Sequence, residues 1–229
     1  LWKRLITADV TPPSGASSDG KFTALRLEAL YRSGLAKDAT AELAKQPANA
    51  DPLTALLSAR NELASGNSDK ACEIIQKATS AKSDMPKRLK GQAVLMSGYC
   101  AAVSNDPASA GLAAELAREE GQEASPGLDA LDAISINAKP KIAAPIQLTL
   151  LDYRLVQRVS PLPHKDVLEK GEPALFVALA NDAATPIDLG LPAAEEAAKF
   201  NALPPDMLAA IYRANATTET ADTLLAGGQ

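Results

Sequence analysis

Aromatic side chains are scarce: three Phe, four Tyr and one Trp in 229 residues. Strands draw on aromatic and β-branched residues, so this scarcity argues against a sheet-based fold. A single histidine, His164, stands in a Pro-Leu-Pro-His-Lys connection, where it reads as an exposed loop residue. Serine or cysteine nucleophiles need a base, and only this one imidazole is on offer. Glycine-rich phosphate loops are missing, with neither G-x-G-x-x-G nor G-x-x-x-x-G-K-[ST] in the chain, which leaves nucleotide binding without support. The carboxylate doublets Glu119-Glu120 and Glu195-Glu196 are sequence neighbours. Such neighbours diverge by about 100° around a helix, as solvated faces do and acid/base pairs do not. Lys and Arg number 23 against 28 Asp and Glu, for a net charge of −5. That balance gives no footprint for nucleic acid. The longest apolar run, Ala174 to Ala180, is far short of the ~20 residues of a membrane span. Two cysteines and one distant histidine lack the four-ligand spacing of a zinc site, and no cofactor is expected.

What the chain does have is alanine, about a fifth of all residues, a composition that favours closely packed helices. The fold class expected is all-α. The organising stretch runs from Leu27 to Ala78, where key residues recur at a spacing of 32: Gly34 with Gly66, Ala39 with Ala71, Leu43 with Ile75. A glycine ending one helical pattern, followed by a few mostly polar residues and a small alanine in the next, is the signature of a tight turn between antiparallel helices. Helix pairs of this length cannot bury their apolar faces alone and stack on copies of themselves. The pairs are expected at about 21–33 with 36–46, and 52–64 with 68–80. Asp51-Pro52 supplies an N-cap and an N1 proline for the second. A third pair runs from Arg88 to Val103 and on through Ala110, Ala114 and Ala117. Its turn places Asn105 five residues before Ala110, as Gly34 stands before Ala39, while the 32-residue register is lost. Asn also tolerates the left-handed helix end.

These residues resemble tetratricopeptide repeats, whose helix pairs share a Gly-x-x-x-x-Ala turn with further small or apolar residues four and seven positions on. Here Ala39 is followed by Leu43, and Ala71 by Ile75 and Ala78. The resemblance covers about residues 22–120 and extends to degenerate helical repeats such as the superhelical region of soluble lytic transglycosylases. It implies a right-handed α-solenoid of antiparallel helix pairs. The first helix of each pair would line a concave groove, with Glu28, Tyr31, Arg60 and Leu63 as contact residues; each of these types serves equally well in packing or on a solvated face.

Beyond Gly121, prolines at 126, 140, 145, 161, 163, 173, 186, 192, 204 and 205 divide the chain. Each removes a donor and clashes inside a helix, so short irregular helices are expected. They start at Ser125-Pro126 and Pro145, and lie in PALFVALAND, LPAAEEAAKF and PPDMLAAIYRAN. Thr185 with Asp188 resembles a capping box. The domain plan is then an N-terminal segment and linker over 1–20, helix pairs over 21–121, an irregular helical region packed on them over 122–214, and a flexible tail over 215–229. Trp2 is expected as a docked cap residue. A start at Leu1 rather than Met fits a processed protein or a domain within a longer one.

Cys72 falls on the second helix of pair two and Cys100 on the first helix of pair three, elements that stacking places side by side. A Cys72–Cys100 disulfide is the expectation, which would point to a periplasmic or other extracytoplasmic location. The competing reading is two buried thiols in the cytoplasm. Taken together, the chain reads as a non-catalytic protein-interaction or scaffold module for a protein or peptide partner, within a larger cell-envelope protein or assembly. The alternative is an accessory superhelical domain of a peptidoglycan-acting enzyme.

Overall fold

The computed structural model describes residues 2–8, 21–45, 52–79, 87–142 and 147–215. The linker 9–20, the Trp2 indole and the tail from 216 onward, on which expectations were placed above, lie outside the described residues and side chains. Among the described residues there are thirteen helices and no strand. The all-α expectation therefore holds.

A short α1 (Trp2–Thr7) precedes α2 (Lys21–Arg32) and α3 (Ala36–Leu43), then α4 (Pro52–Ala64), α5 (Ser68–Thr79), α6 (Lys87–Val103) and α7 (Pro107–Glu119). Each turn within these pairs follows one design. Gly34, Gly66 and Asn105 take positive φ of 72°, 83° and 58°. The next N–H reaches back five residues to a carbonyl of the ending helix, as in Leu35 to Leu30, Asn67 to Glu62 and Asp106 to Ala101. Those bonds satisfy carbonyls that a helix end would otherwise leave open. The same device closes α7 at Gly121, α8 (Pro126–Ser135) at Asn137 and α12 (Ile187–Lys199) at Asn201.

The third pair departs from the period in an informative way. Gly98 stands 32 residues after Gly66 yet lies inside α6, and the turn comes seven residues later at Asn105. Two α-helical turns take about 7.2 residues, so an insertion of seven lengthens the helix while keeping its faces. The register was expected to be lost in this pair; it persists through the front of α6, as Gln92 shows below, and shifts only at the turn.

After α8 come α9 (Leu150–Val156), α10 (His164–Lys170), α11 (Pro173–Asn181), α12 and α13 (Pro205–Asn215). Three expectations need correction here. The helix expected from Pro145 starts at Leu150, because Leu148 is taken up in a parallel bridge with Gly171 and Thr149 caps the helix instead. His164 is not a loop residue: it opens α10, with Nδ1 3.3 Å from Asp188 Oδ2. Pro192 does not interrupt α12, which begins at Ile187 without a side-chain cap from Thr185. The carbonyl that Pro192 leaves without a donor belongs to Asp188, in an exposed first turn where water reaches it.

The main core is continuous from α4 to α12. It joins Leu56, Leu63, Ile75 and Met96 to Leu128, Leu131, Leu150, Leu155, Leu175 and Leu179. Smaller apolar clusters join α2 to α4 through Ala24, Leu27 and Leu57, and α2 to α3 through Leu30 and Ala39. Helix α11 packs against α2, α4 and α9, and α9 against α4, α6 and α8. The first helices of the pairs therefore carry the second half of the chain on one side. Across the second and third pairs, Cys72 on α5 and Cys100 on α6 form a disulfide with their Cα atoms 5.5 Å apart.

Candidate functional site

The structure brings Glu28, Tyr31 and Arg60 together against the chain's own second half, with Tyr31 buried and Glu28 and Arg60 half-buried. Glu28 and Arg60 occupy equivalent positions 32 residues apart, and Gln92 is the next equivalent. Arg60 Nη1 donates to Glu28 Oε2 at 2.7 Å and to Gln92 Oε1 at 3.4 Å, so one polar rung crosses α2, α4 and α6 at the repeat period. Arg32 Nε donates to the other Glu28 oxygen at 2.7 Å. Arg60 also lies over the Tyr31 ring, 4.1 Å from its centroid, a cation–π contact that desolvation strengthens. Tyr31 donates from its hydroxyl to Glu172 Oε1 at 3.4 Å. Leu63 joins the neighbouring apolar core, and with exposures of 4% for Tyr31 and 1% for Leu63 neither presents a free surface. Of the four residues expected to line a groove, Glu28 and Arg60 keep partial exposure, and Arg60 lines a cleft.

Sequence reasoning missed two buried carboxylates: Glu172, which fastens the halves together through Tyr31, and Asp152, which ties α8 to α9 within the second half. Glu172, 5% exposed, sits at the start of α11 and accepts through Oε1 from Leu150 N at 2.9 Å, capping α9 from 22 residues away. Asp152, 4% exposed, accepts from Gly127 N at 2.9 Å at the start of α8 and from Thr149 Oγ1 at 2.6 Å. Both carboxylates lie against helix N-termini, where open N–H groups and the helix dipole favour negative charge. Glu172 has no local sequence signal, since its partners lie 22 and 141 residues away; Asp152 has one in the Thr149-x-x-Asp152 capping spacing, which does not reveal its bond to Gly127, 25 residues away.

The charges in this cluster respond in opposite directions. Burial pushes the Glu172 carboxyl above its ordinary range, and the Arg60 charge only partly offsets that. Burial acts the same way on Glu28, but Arg60 and Arg32 together outweigh it and hold Glu28 below the ordinary value. Burial also pushes the Tyr31 phenol up, which keeps it a neutral donor. Arg60 stays charged: burial opposes its proton, and Tyr31, Glu28 and Glu172 more than compensate.

Two clefts flank the cluster. The larger, of about 620 Å³, lies where the turns Gly34–Asp38 and Ala64–Ser68 meet the end of α11 and the approach to α13. Its floor is apolar, with Leu35, Val177, Ala178 and Leu203, and its rim carries Lys3, Lys37, Asp38 and the Arg154–Asp182 ion pair at 3.0 Å. The smaller, of about 390 Å³, opens beyond Gln92 and is floored by Asp152 and Glu172. Among the described residues no group of three or more His, Cys, Asp or Glu is placed to hold a metal ion, and no helix is long and apolar enough to cross a membrane. No protein-family model matches the chain, and no curated protein or solved structure is significantly similar to it.

Proposed function

We propose that the chain is a non-catalytic protein-interaction or scaffold module, built as a right-handed solenoid of tetratricopeptide-like pairs that carries irregular short helices on its inner side. The reading places it outside the cytoplasm as part of a larger cell-envelope protein or assembly. The Cys72–Cys100 disulfide supports that compartment, since such bonds persist where the surroundings are oxidising. The observation that carries the interaction reading is the larger cleft. An apolar floor ringed by a few charged groups, assembled from elements far apart in sequence, has the character of a recognition surface for polypeptide. It replaces the expected groove, which α9 and α11 occupy.

The test is site-specific photo-crosslinking in the source cells, with the reactive group at Ser65 or Asn181 on the cleft and at Glu73 on α5 as a control. One polypeptide captured from both cleft positions and not from Glu73 is the expected result. Equal labelling from all three, or none, would overturn the cleft as the interaction surface. Binding of the purified chain to isolated peptidoglycan, lost on altering the cleft, would favour the accessory-domain reading instead. Substrate turnover abolished by a single substitution would overturn the non-catalytic part.

A further inference from the structure

The smaller cleft has an imbalance that the fold alone does not resolve. Its walls and immediate neighbours bring together Glu28, Glu123, Asp152 and Glu172 against Arg32 and Arg60, with no lysine. Both arginines share Glu28, which leaves the carboxylates on the floor in excess. Acceptors are also in excess. Gln122 Oε1 is buried with no hydrogen-bond partner, while the Gln122 amide nitrogen donates only to Glu123 O, at 3.4 Å. Glu172, which lines the cleft, spends Oε1 on both Leu150 N and Tyr31 OH, and this leaves Oε2 to meet what enters it. A buried acceptor without a donor is costly, so Gln122 Oε1 is unusual in a folded chain unless something completes it.

We propose that this cleft binds an alkylammonium or alkylguanidinium group, seated between Glu172 and Gln122 with the rim carboxylate of Glu123 over it. The group supplies what the site lacks, one positive charge and two or more N–H donors. Gln92, half-buried at the end of the period-32 rung, lies on the same wall, and the incoming cation continues the rung past the third pair. The chemistry is shared by a basic side chain of a polypeptide and by a free polyamine. This site is separate from the larger cleft and does not rest on the interaction reading.

The experiment is an amide-resolved NMR titration of the whole chain with n-butylammonium, N-ethylguanidinium and spermidine. Neutral n-butanol and N-ethylurea serve as shape controls. Expected are saturable shifts at Gln122, Glu123, Thr149 and Leu150 with the cations and none with the neutral compounds. Glu172→Gln should weaken binding about tenfold or more. Glu123→Gln, at an exposed rim position where folding is not at stake, should weaken it by a smaller factor. Tighter binding of spermidine than of a flexible peptide of equal charge would assign the site to free polyamines, and the reverse order to a polypeptide partner. Equal response to cations and neutral controls, no saturable shifts, or unchanged binding in both variants would overturn the proposal.

Discussion

The two halves of the chain reach helical order by different means. From α2 to α7 the helices come in pairs whose turns repeat one solution, a left-handed residue at Gly34, Gly66 or Asn105 followed by a backward bond of five residues. From α8 to α13 the helices are shorter on average, and five of the six begin at or directly after a proline; α9 is the exception. Two of them, α8 and α9, are anchored by distant carboxylates, Asp152 at α8 and Glu172 at α9. The first half is specified locally, each turn by its own residues. The second adds anchors remote in sequence to its local proline starts, and it packs on α2, α4 and α6 of the first.

The largest expected effect belongs to the first half, which alone has a disulfide among the described residues. Reduction, or Cys72→Ser with Cys100→Ser, should cost about 3–4 kcal/mol on the chain-entropy model for a bond closing 28 residues. Urea unfolding with and without reductant measures it. A cost near zero would mean that stacking alone holds α5 to α6.

Gly34 and Gly66 test the comparison at matched positions. Both have positive φ, but a side chain at Gly66 meets nothing within 4 Å, whereas at Gly34 it meets Pro173 O and Ala202 Cβ at 2.9 Å. Gly66→Ala should cost about 1 kcal/mol, the strain of a left-handed alanine. Gly34→Ala adds overpacking against the second half, for about 2–4 kcal/mol in all. Equal costs in thermal or urea unfolding would show that the halves are not in contact there.

The buried cluster gives a pH signature of two signs. Glu28 is held below its ordinary value, so its contribution is present above the unfolded carboxylate pKa and is lost as pH falls through the folded one. Glu28→Gln should therefore cost about 1–3 kcal/mol near neutrality and progressively less in acid. Glu172 is raised, so the folded state holds its proton longer and the wild type loses stability relative to Glu172→Gln as pH rises through the folded value. Denaturation curves across pH 3–8 check both slopes. Last comes the exposed pair of Lys77 with Glu73 on α5, a surface contact whose loss in Lys77→Ala should leave the unfolding midpoint nearly unchanged.

Much of the first half was legible because its information is local. The spacing of 32, the glycines and Asn105 put the helix limits within a few residues, and the positions of Cys72 and Cys100 allowed the disulfide to be anticipated. The ends at Asn137 and Asn201 carry the same asparagine signal, which goes unread without a repeat to frame it. In the second half proline misled twice. Pro192 was given the power to stop a helix that had barely begun, and Pro145 was given a start that the Leu148–Gly171 bridge delays. The candidate site was half legible: Glu28, Tyr31 and Arg60 do share a cluster. That Tyr31 and Leu63 are covered could not be read, because what covers them depends on contacts such as Tyr31 with Glu172, 141 residues away.

Hydroxyl-radical footprinting of the intact chain tests the central point, that the second half closes over the first helices of the pairs. Tyr31 is 4% exposed and Tyr212 is 43% exposed. Oxidation at Tyr212 with Tyr31 protected in the native chain, and both oxidised in urea, is the predicted result. Native oxidation of Tyr31 at a rate like that of Tyr212 would contradict the closed arrangement and return the face of α2 and α4 to solvent.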